Sequence, residues 1–148
     1  MKINKVIEAI QNVEDIALIT HINPDGDALG SSLALMEALE IIGKTVNIYC
    51  QDPVPKGLRF LDNIHRIKPP SQTPQIYSMA IALDCSDIAR MGSCSSIWNQ
   101  AEHKVNIDHH KSNDLYGDIN VVDGQAAATG ELVFELISRA QITFKKSM

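Results

Sequence analysis

The chain has 148 residues, is 45% hydrophobic and 21% charged, and carries a formal net charge of −5. That length suits one domain, and that composition predicts a packed core. The acidic balance excludes a nucleic-acid clamp built on basic surface, but leaves room for an anionic substrate met through a metal.

Ile3, Val6, Ile7, Ile10 and Val13 recur at helical spacing, so residues 2–13 are predicted as an amphipathic helix. Residues 16–20, IALIT, form a continuous apolar run, the pattern of a strand buried on both faces. A polar turn follows, HINPDGD, punctuated by Pro24 and Gly26. Residues 28–43 then carry apolar side chains on two faces, with Gly43 where a helix C-cap belongs. TVNIYC, 45–50, reads as a second strand. Residues 51–75 are expected to be an irregular surface loop, with Pro53, Pro55, Pro69, Pro70 and Pro74 around a short helical piece, GLRFLDNI. MAIALDC, 79–85, is a third buried strand, and a helical region is expected over 87–100. KVNIDHH, 104–110, is a fourth strand and INVV, 119–122, a short fifth. The last helix spans 129–140, striped by Leu132, Val133, Leu136, Ile137 and Ala140, with Thr129 as candidate N-cap.

Strands and helices alternate, and three strands are uniformly apolar. The expected fold is therefore α/β: a mostly parallel sheet of about five strands with helices on both faces. No apolar run approaches the ~20 residues of a membrane span, and polar residues interrupt the N-terminal stretch too often for a secretory signal. Cys50, Cys85 and Cys94 form no C-x-x-C pair and read as reduced thiols of a cytoplasmic protein.

The polar residues share one topological feature. His21, Asp25 and Asp27 follow the first strand, Asp84 ends the third, and Asp108, His109 and His110 end the fourth. In an open parallel sheet those carboxyl ends share one edge, where ligands bind. Singly, each has a bland explanation: turn residues at Asp25 and Asp27, a helix cap at Asp84, packed imidazoles at the histidines. Together they crowd three or four carboxylates, which raises pKa values and costs stability unless a cation neutralises them. Oxygen-rich donors without a thiolate suit Mn²⁺, or Mg²⁺, and their number suggests two ions with Asp84 as bridge. Free N–H groups of the helix starting near Ala28 face the same crevice and suit a phosphate.

THINPDGDALGSSLAL, ALDCSDIAR and NIDHHKSN resemble, in order, the first three motifs of the DHH phosphoesterases. The resemblance spans about residues 5–140, and NVVDGQAAATGELVFEL is most similar to the NrnA-type oligoribonuclease/pAp phosphatase branch. It implies that His21, Asp25 and Asp84 hold one manganese, and that Asp27, Asp84 and His109 hold the other. It implies that Asp84 and His110 act at the reacting phosphate, that Asp108 supports the histidines from behind, and that Arg90 and Ser31 lie near the phosphate pocket. It implies a short RNA or nucleotide substrate.

The match has one gap. The family pattern includes a fourth aspartate in a DTG-like strand end well beyond the triplet, and then a DHH-associated domain that closes the cleft. The tail RAQITFKKSM contains no aspartate, and Asp118 and Asp123 come too early. The expectation is a single domain over 1–148, the N-terminal lobe alone, with a weakened second metal site, low turnover and uncovered apolar surface that favours a homodimer. The competing readings are a cyclic-dinucleotide phosphodiesterase, a family II pyrophosphatase, and a non-catalytic module that binds nucleotide or metal.

Overall fold

The computed structural model describes residues 2–73 and 75–148. Pro74, counted above in the irregular stretch, lies outside the described residues. In chain order the elements are α1 (Lys2–Gln11), β1 (Asp15–Thr20), α2 (Gly26–Ile41), β2 (Thr45–Tyr49), β3 (Ile67–Lys68), β4 (Met79–Leu83), α3 (Ser95–Gln100), β5 (His103–Asp108), β6 (Ile119–Val122) and α4 (Thr129–Arg139). The strands form one sheet in the order β3-β2-β1-β4-β5-β6, and every pairing is parallel.

Alternation along each strand sends side chains to two layers. Ile16, Leu18, Met79, Ile81, Leu83, Val105 and Ile107 pack under α1, α2 and α4. Ala17, Ile19, Ala80 and Ala82 face the other way, onto Met91, Cys94, Ile97 and Trp98. Burying one such Ile or Leu contributes roughly 1.5–3 kcal/mol. Helices cover both faces, so a continuous apolar run was the right signature for these strands. The α/β fold expected from the sequence is the fold observed.

The differences have local causes. A sixth strand, β3, lies inside the stretch read as loop; it is two residues long and pairs only with β2 at the sheet edge. Pro69 and Pro70 follow it and lack the N–H needed to extend the ladder. The helical region over 87–100 is broken into a 3₁₀ segment, Ala89–Cys94, and α3. The break is at Gly92, with φ 57° and ψ −133°, where a Cβ would lie 2.2 Å from Gln51 Oε1. Helix α2 ends at Ile41, with Gly43 left-handed at φ 83°. The Gly43 N–H donates to Glu40 O and the Lys44 N–H to Leu39 O, the paired bonds of a Schellman end.

Between β1 and β4 the strand order reverses, since β2 and β3 extend one way and β5 and β6 the other. The crevice outside the carboxyl ends at such a reversal is the usual ligand site of this architecture. His21 follows β1 and Asp84 follows β4, so both stand at its mouth.

Candidate metal centre

Asp84 is the hub. It sits one residue past β4 with a left-handed backbone, φ 57°, and is 2% exposed. Its carboxylate presents one oxygen to each side. His21 Nε2 lies 3.5 Å from Oδ2. His109 Nε2 lies 3.6 Å from Oδ1. Asp25 Oδ1 is 3.9 Å from His21 Nε2, and Asp27 Oδ2 is 3.7 Å from His109 Nε2. Three segments far apart in sequence thus meet around one carboxylate.

The imidazoles are oriented from behind. His21 Nδ1 lies 2.6 Å from the Ile22 carbonyl, and a carbonyl only accepts, so that nitrogen carries the proton. His109 Nδ1 faces the Ala126 carbonyl at 3.4 Å in the same sense. Each ring therefore turns a bare Nε2 lone pair toward Asp84 when neutral, as metal-ligating histidines do. His110 differs: its Nδ1 donates to Asp108 Oδ1 at 2.7 Å. That nitrogen is also 3.7 Å from Asp84 Oδ1. Asp84, His109 and His110 thus form a three-residue group as compact as His21, Asp25 and Asp84. With its proton aimed at Asp108, however, His110 Nδ1 has no lone pair to give. Asp27 is the better third partner of Asp84 and His109.

Asp108 is fully buried at the end of β5. It accepts from the His109 N–H, from His110 and from Asn113 Nδ2 at 2.7 Å. Asn113 in turn accepts from Asn106 Nδ2 at 2.7 Å, so a partly buried amide ladder braces the triplet.

Asp25 and Asp27 have second tasks. Asp25 caps α2, accepting from the Ala28 N–H at 3.0 Å, and its side chain is largely exposed. Asp27 reaches α4 instead: the N–H groups of Thr129 and Gly130 donate to Oδ2 and Oδ1 at 2.7 and 2.9 Å. This corrects the N-cap expected at Thr129. The cap position is Ala128, which offers no side chain, and the Thr129 hydroxyl donates to Asp84 Oδ1 at 2.9 Å. Thr129 and Asn113 are the contributors that strand-end reasoning missed. Asn113 sits inside the quoted NIDHHKSN motif, but nothing in the spacing of Thr129 pointed to Asp84.

Arg90 is brought to the rim, its guanidinium Nη2 3.4 Å from His21 Nδ1. Because that nitrogen is a donor to Ile22, the contact is proximity rather than a hydrogen bond. Ser31 is buried one helical turn beyond Asp27, its hydroxyl returned to the Ala28 carbonyl. Asp118 accepts from the Lys104 N–H at the start of β5, and Asp123 accepts from the Gln125 N–H within its own loop.

The electrostatics are those of mutually coupled imidazole and carboxylate groups. The hydrogen bond to Asp84 raises His21 above its ordinary 6.5, against burial, which lowers it. Burial pushes Asp84 up, but the hydrogen bonds from His21 and Thr129 and the charges of His21 and His110 outweigh it. The net result lies below the ordinary carboxylate value. Burial lifts Cys85 and Cys94 to about 12, so neither supplies a thiolate although Cys85 adjoins Asp84. The donor set is carboxylate and imidazole, with His21 Nε2 and His109 Nε2 converging on carboxylate oxygens. It fits a hard or borderline divalent cation.

A model of the DHH family N-terminal domain matches residues 15–148. The chain is 36% identical over 137 residues to "Bifunctional oligoribonuclease and PAP phosphatase NrnA" of Thermus thermophilus, covering 92% of this chain and 40% of the relative. It is 27% identical over 132 residues to the NrnA of Bacillus subtilis, covering 89% and 41%. Among solved structures, an exopolyphosphatase-related protein from Bacteroides fragilis superposes with a TM-score of 0.87 at 26% identity, covering 94% of this chain and 43% of that one. The chain therefore spans about two-fifths of the length of these relatives.

Proposed function

Because this chain belongs to the DHH family, whose N-terminal domain it carries, we propose that it is the metal-binding part of a phosphoesterase acting on short oligoribonucleotides and pAp-like nucleotides. The observation that carries the reading is Asp84, a buried carboxylate with His21 Nε2 3.5 Å from one oxygen and His109 Nε2 3.6 Å from the other. In this reading His21, Asp25 and Asp84 hold one Mn²⁺, and Asp27, Asp84 and His109 hold the second. Mg²⁺ is the alternative ion for the same oxygens. Bound there, divalent cations supply positive charge to phosphoryl oxygens and acidify water.

The chain's own residues do the rest. Asp84 sets the spacing of the two halves. Asp108 fixes the His110 ring at Nδ1, leaving Nε2 of a half-exposed imidazole for a substrate phosphate oxygen. Arg90 at the rim adds a positive charge beside His21. Ser31 is the remaining phosphate-side candidate, one turn along α2. No described helix is long and apolar enough to cross a membrane. An exposed stack of Phe134 on Phe144, centroids 5.0 Å apart, is the surface most suited to a homodimer.

Two measurements test this. Calorimetric titration of the chain with Mn²⁺ should show binding that His21→Ala and Asp84→Asn each weaken by more than about tenfold. Phosphate release from pAp and mononucleotide release from short oligoribonucleotides should need Mn²⁺ and be absent in Asp84→Asn. These are measured on the chain and on a form extended to the length of its relatives. Wild-type Mn²⁺ binding in both variants sinks the ligand set. Metal binding without hydrolysis in either form favours the non-catalytic binding module.

A further inference from the structure

Helix α4 lies outside every strand end and outside the motifs that named the centre, yet its first turn donates three hydrogen bonds into it. The Thr129 N–H and the Gly130 N–H end on Asp27 Oδ2 and Oδ1, and the Thr129 hydroxyl ends on Asp84 Oδ1. The first N–H groups of any helix lack partners within it. Here Ala128 at the cap position supplies none, and Asp27, 102 residues earlier, takes that role. Thr129 is fully buried, so its hydroxyl has no bulk water to turn to, and a carboxylate only accepts.

We propose that Thr129 is a positioning residue of the metal centre: its hydroxyl fixes the rotation of the Asp84 carboxylate, while its amide and that of Gly130 fix Asp27. This rests on the reading that Asp84 and Asp27 hold divalent cations. A carboxylate turns readily about its last torsion. Tying Oδ1 to Thr129 stops that rotation in the orientation that leaves Oδ2 facing His21. It also leaves Oδ1 a second lone pair on the side of His109. The β-branch of threonine restricts the hydroxyl to few rotamers, so the donor is pre-aimed. The carboxylate shared by both ions and a carboxylate of the second ion are thereby ordered by one helix end before any ion arrives. A cation then meets donors already in place, which raises affinity by avoiding the cost of ordering them.

The test is Mn²⁺ titration of the full 148-residue chain as wild type, Thr129→Val, Thr129→Ala and Thr129→Ser, with thermal unfolding of each without metal. Valine keeps the shape and removes the hydroxyl; serine keeps the hydroxyl. The valine and alanine forms are expected to bind Mn²⁺ roughly tenfold or more weakly, and the serine form within roughly threefold of wild type. Should Thr129→Val not fold, Thr129→Ala carries the same comparison. A hydroxyl that only anchors the helix lowers the melting temperature of the variants and leaves their Mn²⁺ affinity as in wild type; that result overturns the proposal. Wild-type chain that binds no Mn²⁺ sinks the metal reading itself. Wild-type binding with an unaffected valine form sinks only the role of Thr129.

Discussion

At the scale of single residues, the pair His21–Asp84 predicts opposite pH dependences for the metal-free and metal-loaded protein. His21 is raised above 6.5, so its contribution to metal-free stability is complete below that value and is lost as pH rises through the raised one. Asp84 is lowered below 3.8, so its contribution is complete above that value and is lost as pH falls through the lowered one. The pair therefore stabilises the metal-free protein most between those ordinary values. Mn²⁺ needs the His21 Nε2 lone pair, so its affinity rises as pH climbs through the same raised value. Denaturant unfolding of metal-free protein and calorimetric titration, each across a pH series, should show the two trends crossing, and Asp84→Asn should flatten both. A metal-free stability that does not fall as pH rises above 6.5 counts against the pair. The five side chains gathered around this centre, His21, Asp25, Asp27, Asp84 and His109, were legible as candidates because each is a carboxylate or imidazole at a strand end or in the turn after β1. Thr129 was not, because a threonine before a helical run signals a cap, and only three-dimensional contact shows its hydroxyl spent on Asp84.

At the scale of elements, the turn after β1 serves two masters, and substitution can separate them. Asp25 caps α2 through the Ala28 N–H and also faces His21. Asparagine caps as well as aspartate, whereas alanine costs about 1 kcal/mol at such a position. Asp25→Asn should therefore keep the metal-free melting temperature and weaken Mn²⁺ binding, while Asp25→Ala lowers both. Equal Mn²⁺ affinity in wild type and Asp25→Asn would remove Asp25 from the ligand set. Most elements were readable from period and punctuation, Gly43 at the end of α2 among them. Two were not. Strand β3 is two residues long, too short for any alternation to register, and is defined only by its pairing to β2. At the bend the Gln51 side chain and Ile22 leave no room for a Cβ on Gly92, a close approach between distant segments.

At the scale of the whole molecule, the sheet order concentrates chemistry at one edge, and the opposite concern is the apolar surface left outside. Phe134 is 59% exposed on α4 and Phe144 is 42% exposed after it. Such a pair favours self-association. Sedimentation should show concentration-dependent dimerisation that Phe134→Glu abolishes without moving the melting temperature, since Phe134 lies outside the core; identical profiles would clear this face. Parallel strands and the gathering of these polar residues at one edge were inferable from uniformly apolar runs separated by helices. The position of the reversal between β1 and β4 was not, because neighbour order depends on which side each helix returns, and no local pattern encodes that. The bridge from Asp27 to the start of α4 carries a last consequence. It joins residues more than a hundred positions apart. An early fragment emerging from a ribosome can hold every acid and imidazole and still lack the donors of α4 that fix Asp27 and Asp84. On the proposed reading, tight capture of a divalent ion is expected to report completed folding, since it awaits the arrival of the last helix.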